Sequence, residues 1–150
     1  GEPLPDALFA ESHDWVEQVK VEPSDGAVHR LEFLGDRILY DASSPLAPGG
    51  FDYCLAHAND ATGLVTGESL PESITGPARR IAAKGKLQLG ALEYLLNHDG
   101  EPVFIDFNPV SSLHPQAASV LGEDPIVLTA RYLVERIASA SRPTSHHHAD

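Results

Sequence analysis

The segment that most narrows the possible folds runs from Ala91 to Asn108. Ala91-Leu92-Glu93-Tyr94-Leu95-Leu96 and Val103-Phe104-Ile105-Asp106-Phe107-Asn108 are two strand-like runs, and Asp99-Gly100 lies between them. Asp-Gly between apolar runs is a strong hairpin signal. A two-residue loop at Asp99-Gly100, or a four-residue loop from His98 to Glu101, gives one register, and that register pairs Glu93 with Asp106. Side chains alternate across a strand. Leu92, Tyr94, Leu96, Val103, Ile105 and Phe107 are therefore expected on one face, and Glu93, Asp106 and Asn108 on the other. Like charges directly opposite one another are destabilising, so the pattern asks for a cation between them. Hard divalent ions such as Mg²⁺ take carboxylate and amide oxygens.

A second hairpin is expected upstream. Val28 to Leu34 and Arg37 to Tyr40 flank the tight turn Gly35-Asp36. That pairing puts Leu31, Phe33, Ile38 and Tyr40 on an apolar face, with Arg30 and Glu32 opposite. Trp15 to Val21 is β-capable. Ala42 to Gly50 reads as a loop, and Ala61 to Pro77 as an irregular connection. Pro77 suits an early helical position, which predicts a helix over Ala78 to Leu87. Asp124 is a good N-cap with Pro125 behind it. Ile126, Ala130, Leu133, Val134 and Ile137 recur at helical spacing, so Asp124 to Ile137 is the firmest helix. The order is strands in hairpins followed by helices. This predicts an α+β fold, a mostly antiparallel sheet with helices packed on one face.

The totals exclude several classes. The chain has 150 residues, net charge −12 and only 10 Lys plus Arg, which are scattered. That argues against nucleic acid or an anionic membrane as the main partner. No apolar run reaches the length of a membrane span. The single cysteine, Cys54, fits a reducing, cytoplasmic setting. The chain contains no methionine, so Gly1 reads as a processed end or the start of an excised segment. Three parts are expected: a loose segment 1–14, one domain over 15–140, and a His-rich, disordered or tag-like tail over 141–150.

The ordered pieces resemble the C-terminal lobe of an ATP-grasp ligase, similar to the ribosomal-protein-glutamylating and glutathione-synthetase-like ligases. Val16-Glu17-Gln18-Val19-Lys20-Val21-Glu22 resembles the strand at the adenine hinge. Val28-His29-Arg30-Leu31-Glu32-Phe33 resembles the next strand, and Gly49 to Ala56 a short segment of one subgroup. Leu92-Glu93-Tyr94 and Phe104-Ile105-Asp106-Phe107-Asn108-Pro109 resemble the metal-binding strands. The resemblance covers about Trp15 to Ile137. It implies Mg²⁺ (or Mn²⁺) on Glu93, Asp106 and Asn108, with Asp106 bridging. It implies that Arg30 stabilises phosphoryl charge, and that ATP lies along Gln18, Val19, Lys20 and Val21. The implied reaction is ATP-dependent ligation of a small-molecule or peptide carboxylate to an amine through an acyl-phosphate.

Departures from the family pattern qualify that reading. No lysine-bearing strands or Gly-rich phosphate loop appear, so a missing N-terminal lobe is expected as a partner. Val28 and His29 stand where related ligases often carry an acid for the ribose. Asp41 follows Tyr40 where a basic residue is expected. Turnover by these residues alone is not expected. The alternative is a degenerate, non-catalytic module for binding or dimerisation, with a homodimer as its simplest form. For Arg30 the plain alternative is an ion pair with Asp41 or Glu32. His29, His57, His98 and His114 read as surface or core histidines, and Arg79-Arg80 with Lys84 and Lys86 as a solvated helix face.

Overall fold

The computed structural model describes residues 20–46 and 63–141. Five strands form one antiparallel sheet in the order β3-β2-β1-β4-β5. They are β1 (Ala27–Leu34), β2 (Arg37–Pro45), β3 (Gly63–Thr66), β4 (Leu89–Leu96) and β5 (Pro102–Asn108). The helices are α1 (Glu72–Lys84), α2 (Ala117–Leu121) and α3 (Pro125–Ala140), with a 3₁₀ turn at Gly67–Ser69. The α+β class and the antiparallel sheet expected from sequence are both present.

Both hairpins form, and each carries a bulge. In the second, Leu96 pairs with Pro102, and a three-residue loop replaces the expected two or four. The Asn97 N–H donates to the Glu101 carbonyl (3.0 Å), and Gly100 takes φ +75°, the left-handed closing position of such loops. That loop slips the register by one residue. Ile105 then enters as an extra residue, because Tyr94 pairs with Phe104 while Glu93 pairs with Asp106. The bulge restores the expected rung. It also corrects the apolar face: Phe104, not Ile105, opposes Tyr94, with ring centroids 5.8 Å apart. In the first hairpin Leu39 is the extra residue. Tyr40 therefore opposes Glu32 and leaves the face of Leu31 and Phe33 to which it had been assigned.

α1 covers one face through Ile74, Ala78 and Ala82, which pack on Leu31, Phe33, Ile38, Leu92 and Tyr94. This i, i+4, i+8 stripe explains why the helix starts at Glu72, before Pro77. Burial of Ile74 and Ala78 outweighs the backbone bond that Pro77 cannot make. The residues read as an irregular connection thus hold β3, the 3₁₀ turn and the first turns of α1. β2 likewise runs on to Pro45, because Ala27 to Arg30 keep it paired. The expectation of helices on one face describes α1. The second face receives α2 and α3, where Ala117, Leu121, Leu128 and Tyr132 pack on Leu34, Leu39, Tyr40 and Ala42.

α3 starts where expected, and Asp124 Oδ1 accepts from the Ile126 N–H at 2.8 Å. Its apolar stripe is not buried. Ile126 is 64% exposed, Leu133 42%, Val134 65% and Ile137 66%. No helix among the described residues is long and apolar enough to cross a membrane.

Candidate functional site

β4 lies between β1 and β5, so two cross-strand rows share the second face. Arg30 pairs with Glu93, and Glu93 pairs with Asp106. In the next row Glu32 pairs with Ala91, and Ala91 pairs with Asn108. Arg30, Glu32, Glu93, Asp106 and Asn108 thus surround one small, fully buried residue, Ala91. A methyl group at the centre leaves room for five longer side chains.

Arg30 is the hub, and it is buried. Its Nη1 donates to Glu93 Oε1 at 2.8 Å and its Nε to Glu32 Oε2 at 3.3 Å. Its Nη2 donates to the Val110 carbonyl at 3.2 Å, on the loop after β5. The chain itself therefore supplies a cation to Glu93, while Asp106 is held by the Phe107 N–H and Asn108 instead. The alternative pairing of Arg30 with Asp41 does not occur; Glu32 and Glu93 take its place. Asp41 lies on the opposite face of the sheet, across from Leu31.

Burial lifts the Glu93 pKa above the ordinary carboxylate range; Arg30 pulls it down, and the Asp106 charge adds to the rise. Burial also lifts Glu32, against the pull of Arg30. Asp106 is exposed. Its Oδ1 accepts from the Phe107 N–H at 2.8 Å, and its Oδ2 accepts from Asn108 Nδ2 at 2.7 Å. With its N–H₂ committed to Asp106, Asn108 has its carbonyl oxygen left as an acceptor. Two carboxylates and one amide oxygen on adjacent rungs fit a hard divalent cation. Among the described residues no group of three or more His, Cys, Asp or Glu gathers to hold a metal ion.

Gln18 and Val19 lie outside the described residues, as do Cys54, His57 and the segment from Gly49 to Ala56. Lys20 and Val21 precede β1 in irregular chain, and Lys20 Nζ meets Glu22 Oε1 at 2.5 Å.

No family model matches the chain, and no curated protein matches it. Among solved structures, one similar chain is macrocyclase MdnC bound with precursor peptide MdnA, from Microcystis aeruginosa MRC. The two are 16% identical, with a TM-score of 0.47 over 76% of this chain and 30% of that one. This chain spans under a third of its neighbour's length.

Two neighbourhoods surround histidines that read in sequence as surface or core residues, and their partners were not legible there. His114 is buried behind the site; its N–H donates to the Tyr40 hydroxyl (2.8 Å), and its Nδ1 accepts from the Gln116 N–H (3.1 Å). Burial raises the Tyr40 pKa to about 12, so this phenol stays protonated. On the α1 face, His29 Nδ1 meets Asp41 Oδ2 at 2.9 Å and His29 Nε2 meets Asp25 Oδ2 at 2.7 Å. Tyr94 donates its hydroxyl to the same Asp41 oxygen at 3.1 Å and stacks on the His29 ring at 4.7 Å. No spacing rule links residues 25, 29, 41 and 94; sheet order alone assembles them.

Proposed function

We propose that the face bearing Arg30, Glu93, Asp106 and Asn108 is the metal- and phosphate-facing side of an ATP-dependent carboxylate–amine ligase lobe, working through an acyl-phosphate. The observation that carries this reading is the row Arg30–Glu93–Asp106, with Asn108 one rung on. It puts a guanidinium, two carboxylates and an amide oxygen on one surface. Mg²⁺ on Asp106, Asn108 and Glu93 would neutralise charge on nucleotide phosphate oxygens. Arg30 would orient and neutralise the transferring phosphoryl group from the neighbouring strand. To do so it must release a contact, and the 3.2 Å bond to the Val110 carbonyl is the one whose acceptor carries no charge and sits on a loop. Glu93 must also be ionised to hold a metal. Its raised pKa makes binding weaken as the solution is acidified. ATP would lie along Gln18 to Val21, and a lobe beyond this chain would complete the grip on it. A small-molecule or peptide carboxylate is the substrate class.

The test is thermal stability with ATP, with and without Mg²⁺. The midpoint should rise only when both are present, and Asp106→Ala should remove the rise. An equal rise without metal, or one retained by Asp106→Ala, rejects the reading. In the complete ligase, Asp106→Ala should abolish ADP release.

One observation favours the second reading, a non-catalytic module. The stripe Ile126, Leu133, Val134 and Ile137 is exposed and would suit pairing with a second copy. Sedimentation should then show a dimer that Leu133→Glu dissociates; a wild-type monomer rejects it.

A further inference from the structure

A pocket of about 670 Å³ lies between the Gly35-Asp36 turn and the C-terminal end of α1. It lies against the sheet face opposite Arg30 and Asp106. Phe33, Ile38 and Leu87 supply apolar wall, and all three are buried. Arg37, Arg79 and Lys86 also line it. Three of the ten basic residues of a chain with net charge −12 thus meet in one place. Among the described residues Arg37 and Lys86 make no ion pair, and Arg79 meets only exposed Glu72, at 3.7 Å. Gln88 also lines it, with its side chain engaged elsewhere: Oε1 accepts from the Tyr132 hydroxyl at 2.6 Å and Nε2 donates to the Leu87 carbonyl at 3.5 Å.

The backbone supplies an independent observation. α1 ends in a Schellman motif: the Leu87 N–H donates to the Ala82 carbonyl (2.8 Å) and the Lys86 N–H to the Ala83 carbonyl (3.1 Å). The left-handed residue of that motif is usually glycine. Here it is Lys86, at φ +54°, the one non-glycine with positive φ among the described residues. The glycine stands one position earlier. At Gly85 an added Cβ would lie 2.5 Å from the Phe107 ring, so a side chain there would have to displace that ring. That explains Gly85 but not the lysine after it. A strained residue that lines a pocket points to function.

We propose that this pocket binds a singly charged carboxylate with an apolar body, its charged end held by Arg37, Arg79 and Lys86. Its volume suits a small organic ligand. Asp36 and Glu68 also line the pocket. Three cations against two carboxylates leave a surplus of one positive charge. That surplus attracts an anion rather than a neutral or cationic ligand, and a single negative charge neutralises it.

Phenylacetate is the probe, titrated into the ¹⁵N-labelled full chain and followed at the Gly67, Lys86 and Gln88 amides. Saturable shifts are expected with phenylacetate and none with benzylamine. Arg37→Ala should weaken binding about tenfold, as loss of one charged hydrogen bond does. Lys86→Gly should weaken binding while raising the thermal midpoint, because glycine fits the left-handed slot. A purely structural lysine would give the higher midpoint without the loss of binding. Absence of saturable shifts, equal shifts with 2-phenylethanol, tighter binding of phenyl phosphate, or undiminished binding by Lys86→Gly each overturns the proposal.

Discussion

The two faces of the sheet solve the same problem with different cations. Under α1, buried Asp41 is matched by His29. On the opposite face, buried Glu32 and Glu93 are matched by Arg30. Arginine stays charged at every working pH, whereas histidine does not. On the Arg30 face the proposed metal ion would therefore bind beside the internal cation. The His29 face loses its cation by titration alone. Burial lowers the His29 pKa, but the hydrogen bonds and charges of Asp41 and Asp25 outweigh it, and the net shift is upward. The folded chain therefore holds this proton more tightly than the unfolded chain. The resulting stability is complete below about pH 6.5 and fades as pH rises through the raised value. Glu32 and Glu93 are also raised, so their window opens at the ordinary carboxylate pKa. There too the fold loses stability as pH climbs and the buried carboxyls ionise.

The largest effect that can break this contrast is expected at Arg30. Arg30→Met strands two buried carboxylates and should cost about 3–5 kcal/mol in urea unfolding. Adding Glu93→Gln should recover a measurable part of that loss. A cost below about 1 kcal/mol would show that Arg30 is not the neutralising cation. On the other face, Leu92→Ala empties volume beneath α1 and should cost about 2–4 kcal/mol with no pH dependence. Next comes His29→Gln, which should cost about 1 kcal/mol below neutrality and nothing once wild-type His29 is neutral. Urea midpoints should then converge as pH rises; parallel curves would sever His29 from the pH response. The smallest effect is Asp106→Asn, within about 0.5 kcal/mol because the side chain is exposed. It should lower the Glu93 pKa, followed by carboxyl carbon resonances, because the Asp106 charge helps to raise it.

The parts of the fold written in local chemistry were legible. Asp124-Pro125 announced α3, Asp99-Gly100 announced the second hairpin, and the Glu93/Asp106 rung followed from alternation. Even there two irregularities, the three-residue loop and the Ile105 bulge, had to cancel. The parts decided by distant packing were not legible. Near residue 72 the local start signals are only Pro71 and the first-turn acid Glu72; Ile74 and Ala78 secure the helix by reaching Leu31 and Leu92 across the sheet. The neighbourhood of Arg30 and Glu93 depends on β1 lying beside β4, which no local pattern states. The apolar stripe of α3 had the right period, but it faces solvent, because the helix docks through Leu128 and Tyr132. Periodicity reports that a face is apolar and does not say what covers it.

Mn²⁺ titration of the ¹⁵N-labelled chain tests the central claim most directly, because the paramagnetic ion broadens only the amides near it. Selective loss of the Glu93, Phe107 and Asn108 signals, abolished in Asp106→Asn, is the predicted result. Broadening elsewhere on the acidic surface, with these three amides intact, would contradict a divalent ion on the Glu93–Asp106 rung.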